Sequence, residues 1–205
     1  MGRKPVRDER RKQIIEAVHA CLLEKPFHKT SIKDIAQKAG LNHGAVHYYF
    51  KNKEDLLLEY IDYSQKKFLK MFTERYKAEI QEPTTDIEAF HRKIRLVLHE
   101  MSFNEEYART YTEIWAHAIY NQRVMDKLKD MYRDWREQVF AEVNHFVESK
   151  KLARQISLTI IALCEGMSLM AIFFDKKDLS AEIDFGEFLQ ILTPHKAYNQ
   201  EARPQ

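Results

Sequence analysis

The residues best suited to chemistry lie close together between Asn42 and Lys53: Asn42, His43, Gly44, Ala45, His47, Tyr48 and Lys53. They combine amide, imidazole and phenol groups with one methyl and one ammonium. That set can meet the base edges and phosphates of duplex nucleic acid. Gly44 has no side chain, so the backbone there can approach a groove closely, which offsets the cost of about 1 kcal/mol that glycine carries inside a helix. His43 and His47 stand one helical turn apart and are a possible metal pair. The segment between them lacks the glutamate of a metalloprotease helix, and no third ligand is evident, so no metal, cofactor or catalytic residue is expected. No phosphate-cradling glycine loop, nucleophile elbow or cysteine with an orienting histidine is recognisable either.

A second candidate is Glu165. It sits on a stripe with Leu158, Ala162, Leu169 and Ile172, in a helix apolar on nearly every side. A lone buried carboxylate is costly unless it is paired, hydrogen-bonded or protonated. Arg109, tyrosine or tryptophan donors, or a ligand could each balance it. Tyr107, Tyr111 and Trp115 recur every four residues, and Tyr132 and Trp135 follow on the next helix. Aromatics at helical spacing usually form core. The alternative here is a small-molecule pocket between helices, where aromatic faces and one carboxylate would suit a cationic effector.

The elements that must position the first set are two short helices and a turn. Thr30 or Ser31 can cap the first, with Asp34 in its first turn. Ile32, Ile35, Ala36 and Ala39 supply its apolar face, and Gly40 can take the positive φ that stops it. Asn42 can cap the second helix, which Ala45, Val46, Tyr49 and Phe50 pin to the first. This is the helix-turn-helix pattern, whose second helix enters the DNA major groove.

Charge divides the chain in the same sense. Residues 1–53 hold 12 Lys/Arg against 5 Asp/Glu, a net +7, whereas residues 54–205 hold 21 against 26, a net −5. The basic part carries the helix-turn-helix, as phosphate binding requires. The expected division is therefore a DNA-binding domain over 1–53 and a helical effector-binding and dimerisation domain over 54–205. The basic start, with Arg3, Lys4 and Arg7 ahead of a helix from Asp8, reads either as an arm along the DNA or as a solubilising tail. Pro5 is expected to keep it out of the helix.

The fold class is all-α, since long segments of 3.6-residue period dominate and strand alternation is missing. Helices are expected over about 8–24, 53–80, 86–101, 104–119, 121–149 and 181–192, with a further one through Glu165. The most membrane-like stretch, Ile156 to Phe174, has Glu165 at its centre and reads as a buried helix. With two distant cysteines, Cys21 and Cys164, and no apolar leader, the expected location is the cytoplasm. A small-residue face containing Ile161, Cys164, Met167, Ser168 and Ala171, with Phe185, Phe188 and Leu189 on the last helix, is the expected dimer interface.

The run Thr30, Ile35, Ala36, Ala39, Gly40, Leu41, Gly44, Val46, Tyr49, Phe50, Lys53, Glu54 and Leu56 resembles the DNA-binding domain of the TetR family of bacterial transcriptional regulators. That resemblance implies base contacts from His43, Gly44 and Ala45, and phosphate contacts from Thr30, Asn42, His47, Tyr48 and Lys53. The family usually has tyrosine at the position of His47, and histidine brings pH sensitivity to such a contact. The segments EIWAHAIYN from Glu113, Tyr132 to Arg136, and ALCEGMSLMAIF from Ala162 are similar to the C-terminal domain of the branch that includes choline-operon repressors. The resemblance implies a homodimeric, ligand-responsive repressor whose partners are operator DNA, a second copy of itself and a small-molecule effector. A helical enzyme, or a DNA-binding protein that answers to no ligand, are the alternatives.

Overall fold

A computed structural model describes residues 3–79, 87–102, 104–175 and Glu187. Among these the chain forms eight α-helices and one short 3-10 turn. They are α1 (Arg3–Glu24), the turn Phe27–Lys29, α2 (Ile32–Lys38), α3 (His43–Tyr49), α4 (Lys53–Glu79), α5 (Ile87–Ser102), α6 (Glu105–Tyr120), α7 (Gln122–Val143) and α8 (Lys150–Met170). The fold is all-α. Of the expected last helix only Glu187 is described, so Phe185, Phe188 and Leu189 lie outside the described residues.

The chain divides by contact into two compact units, Met1–Thr73 with Arg109–Leu128 and Glu74–Ala108 with Lys129–Gln205. The charge boundary at residues 53 and 54 falls in the first turn of α4, which runs on unbroken.

In the first unit, α1 packs on α2 and α2 on α3. Ile14, Val18, Ile35, Val46, Leu56, Leu57 and Ile61 are almost wholly buried there. The helix ends are fixed locally. Ser31 caps α2 through a capping box: its Oγ accepts from Asp34 N at 3.2 Å, and Asp34 Oδ2 accepts from Ser31 N at 2.7 Å. Lys25 also contacts Asp34 at 2.8 Å, and that bond, with those from Ser31, holds the carboxyl well below the usual range. Gly40 stops the helix at φ +62°, with Leu41 N donating to Ala36 O at 2.9 Å and Gly40 N to Gln37 O at 3.1 Å. A Cβ at Gly40 would meet nothing within 4 Å, so the backbone angle is what requires glycine.

Two helix ends differ from expectation. α1 begins at Arg3, so Pro5 lies inside its first turn, where its missing N–H is one of four that have no intrahelical partner anyway. The basic start is thus backbone-helical instead of a free arm. α7 ends at Val143, not near Ser149. Phe146 N turns back to Val143 O at 3.0 Å, and Ser149 caps α8 by accepting from Leu152 N. Asn144 and His145, both weak helix formers, sit where the helix stops.

In the second unit α5 lies along α8. Phe90, Ile94 and Leu98 of α5 and Ile156, Ile160 and Cys164 of α8 are buried, and Phe90 packs against Phe146 with centroids 5.4 Å apart. By length and composition α8 is apolar enough to cross a membrane, and a little under half of its apolar stretch is buried inside the protein. A helix enclosed by its own chain reaches the same composition.

Candidate nucleic-acid interface and carboxylate centre

α3 presents the first candidate set. Asn42 caps it, its Oδ1 accepting from Ala45 N at 2.8 Å, while Val46 and Phe50 anchor the helix to the core. That anchoring leaves the opposite side in solvent. Asn42, His43, Gly44, His47 and Tyr48 are exposed, Tyr48 to 76%, and Ala45 is half-buried. The structure therefore brings these six residues onto one accessible stretch. A Cβ at Gly44 would meet only Asn42 Oδ1, at an ordinary 3.5 Å, so nothing inside the protein demands glycine there. The rings of His43 and His47 are 4.6 Å apart between centroids. From α1, Arg11 holds the end of the reading helix: a guanidinium nitrogen donates to Tyr49 O at 3.2 Å, and the group lies over the Phe50 ring.

Thr30 and Lys53 lie elsewhere. Thr30 is 3% exposed, and its hydroxyl donates to Pro26 O at 3.2 Å. The ammonium of Lys53 donates to Phe27 O and Thr30 O, both at 2.8 Å, and sits 4.4 Å from the centroid of the Phe27 ring. Burial lowers its pKa. Both side chains thus face the turn that precedes α2. They tie together the turn that leads into α2.

Sequence reasoning missed a set of residues that hold this head from α6 and α7. Glu113 Oε2 accepts from Phe27 N at 3.1 Å, and His117 packs edge-on to the Phe27 ring at 4.8 Å. His117 Nε2 is buried without a hydrogen-bond partner, and desolvation lowers its pKa. Asn121 donates to Glu54 at 2.6 Å, and Arg123 bridges Glu54 and Asp55 at 2.7 and 2.8 Å. The hydrogen-bonded pairs among them are separated by 67 to 86 residues in the chain, and no local pattern foretells them.

The second candidate is centred on α8. Glu165 Oε1 accepts from the Tyr132 hydroxyl at 2.8 Å and from the Tyr107 hydroxyl at 3.2 Å. Its Oε2 is buried with no hydrogen-bond partner. Desolvation outweighs the two phenols and raises the carboxyl to about 7. Trp135 stacks beside Tyr132 at 6.2 Å between centroids. Tyr107, Tyr132, Trp135 and Glu165 therefore come together in the second unit. Tyr111 and Trp115 belong to the first, where the Tyr111 hydroxyl meets Ser64 Oγ at 3.1 Å and the two rings lie 6.4 Å apart. Arg109, a possible counter-ion for Glu165, also lies in the first unit, with its guanidinium 3.5 Å from Leu23 O.

The proposed dimer residues of α8 face inward. Ile161, Cys164, Met167 and Ser168 are 6%, 0%, 8% and 1% exposed within a single chain, so almost none of their surface is left for a second copy. The outward face carries Leu158, Ala162, Gly166 and Met170. Ala171 is half-buried at the end of the helix.

Two family models match this chain. Residues 14–60 match the bacterial regulatory proteins of the tetR family, and residues 87–182 match the C-terminal domain of BetI-type transcriptional repressors. The chain belongs to the TetR family. It is a DNA-binding transcriptional regulator and not an enzyme. The HTH-type transcriptional regulator PksA of Bacillus subtilis is 28% identical over 174 residues, covering 80% of this chain and 79% of that one. The fatty acid metabolism regulator protein of the same organism is 36% identical over 73 residues, and the match spans only 36% of either chain. A TetR regulator from Haloarcula marismortui shares the fold with a TM-score of 0.73 at 20% identity, over 91% of this chain and 97% of that chain. A regulator from Saccharomonospora viridis, solved in complex with choline, aligns with a TM-score of 0.65 at 20% identity, over 90% and 94%.

Proposed function

We propose that this TetR-family chain is a cytoplasmic homodimeric repressor. It binds a pseudo-palindromic operator through two copies of α3 and is released by a small-molecule effector held at Glu165. The observation that carries the DNA reading is the division of α3 itself: Val46 is fully buried on one side, while His43, His47 and Tyr48 stand in solvent on the other. His43, Gly44 and Ala45 take the base edges. Asn42, His47 and Tyr48 take the phosphates. Thr30 and Lys53 act behind them by fixing the turn. Two such helices in successive major grooves need a spacing of about 34 to 36 Å or a multiple of it.

The partner copy docks on the outward face of α8. Leu158 is 57% exposed and Met170 36%, and a Cβ on Gly166 would meet nothing within 4 Å, so a second helix can come close at that point. A two-fold dimer buries the same patch on both copies, and this face of α8 can serve as that patch.

The unpartnered Oε2 of Glu165 is the group an effector would satisfy. The two phenols offset only part of the desolvation that keeps the proton on Glu165, and a cation beside Oε2 would supply what is missing, so a cationic effector completes the pairing. The relative from S. viridis was solved with choline, whereas the B. subtilis relative is named for fatty acid metabolism. The shared fold does not select the effector; the unpartnered carboxyl oxygen of Glu165 is what favours a cation. Coupling follows from chain continuity. α6 carries Tyr107 near its start and Glu113 and His117 further on, and α7 carries Arg123 before Tyr132. A shift of either helix on effector binding would therefore move residues that grip the reading head. The test is a gel shift with duplex DNA from the chain's own upstream region, with and without alkylammonium ions. Retarded DNA set free by a cation supports the reading. DNA that is never retarded, or is retarded equally with every compound, opposes it.

A further inference from the structure

DNA contact does not require the spacing of the two histidines on α3. Side chains four residues apart on a helix lie over one another on the same face. The imidazoles of His43 and His47 do so, with centroids 4.6 Å apart and planes at 69°. Both are exposed, and among the described residues neither ring nitrogen has a hydrogen-bond partner. The helix beneath them is held by the Asn42 cap and the burial of Val46, so only side-chain rotation has to be frozen for both rings to converge on one point. We infer that His43 and His47 form a two-imidazole site for a late first-row divalent cation, and that filling it takes the reading helix off DNA.

The ligand class follows from the donors. Neutral imidazole nitrogens suit nickel, copper and zinc, while magnesium and calcium prefer oxygen. No group of three or more His, Cys, Asp or Glu is placed to hold a metal among the described residues, so this is not a closed structural site. Water fills the remaining positions, the ion exchanges freely, and occupancy follows its free concentration. The regulatory consequence rests on the reading proposed above, in which the same two side chains lie against operator DNA. A ring nitrogen bound to a hydrated metal cannot also donate to a base or phosphate, and the ion with its waters occupies the space the groove would fill.

The experiment uses the untagged full chain and nickel chloride in a buffer that does not bind metal. Calorimetry without DNA should show one saturable nickel per chain. His43→Ala and His47→Ala should each weaken it about a hundredfold, since the second imidazole binds as an intramolecular partner of the first. His28→Ala, which removes another exposed histidine, should bind nickel as the parent does. Circular dichroism checks that each variant folds. In a second arm, nickel should lower the affinity for a bound duplex about tenfold, an effect that EDTA reverses and magnesium does not reproduce. Nickel binding unchanged by His47→Ala, or nickel that leaves duplex affinity the same or raises it, overturns the inference. The calorimetric arm needs no DNA. A chain that takes up nickel through both histidines but binds no duplex would instead overturn the DNA reading.

Discussion

Replacing Gly44 by alanine separates the needs of the free protein from those of the complex. Within the chain a Cβ at this position meets only Asn42 Oδ1, at an ordinary contact distance of 3.5 Å, and the residue sits in the helical backbone of α3. Alanine is favoured over glycine inside a helix by about 1 kcal/mol, so Gly44→Ala should stabilise the free chain by roughly that amount. For a chain of this size that corresponds to a rise in melting temperature of about 2 to 4 °C. On DNA the sign reverses. If the backbone at Gly44 rests against the groove, the new methyl forces the reading helix outward and the contacts of His43 and Ala45 lengthen. A loss of about tenfold in affinity, near 1.4 kcal/mol, is the minimum expected. Urea melts read the first effect and fluorescence anisotropy with a bound duplex reads the second. Alanine that raises stability and leaves affinity intact would refute close approach of the backbone. Alanine that destabilises the free chain would refute the description of α3.

Lys53→Ala removes two charge-assisted hydrogen bonds to Phe27 O and Thr30 O and should cost about 2 kcal/mol of stability in urea melts. The slope of log affinity against log salt should hardly change; a slope smaller by about 0.9 would mean that Lys53 neutralises a phosphate. Ser31→Ala opens the capping box of α2 and should cost about 1 kcal/mol by the same assay. Glu165 ties stability to pH, because its folded pKa is raised from 4.5 to about 7. Its stabilising contribution is complete below 4.5 and is lost as pH rises through 7, by about 3 kcal/mol. Glu165→Gln should flatten that decline when melts at pH 5 and pH 8 are compared.

Much of the head was legible because its signals are local. Ser31 with Asp34, Gly40 and Asn42 each act on backbone groups within a few residues, so their types announce the turn before any packing is known. The start of α1 was misjudged for a local reason too: Pro5 breaks a helix only once a preceding turn exists to donate to. Faces were harder. α8 is apolar nearly all round, and periodicity reveals that stripes exist without saying which one the chain itself covers; Cys164 and Ser168 proved to be inside, Leu158 and Ala162 outside. Glu165 was legible as an anomaly because a carboxylate in such a helix needs a partner, and two of the aromatics named for that role, Tyr107 and Tyr132, are the ones that hold it. The partners of Lys53 and the grip of Glu113, Asn121 and Arg123 on the head depend on contacts between distant segments, which no short stretch encodes.

The exposed face of α3 as the surface that grips DNA is tested most directly by binding across a salt series. The chain, a duplex selected from a random pool and the variant Tyr48→Ala suffice. Log affinity should fall linearly with log salt, and Tyr48→Ala should weaken binding to every duplex by a similar factor. Affinity insensitive to salt, or unmoved by the loss of a side chain that stands 76% in solvent on the reading helix, would contradict it.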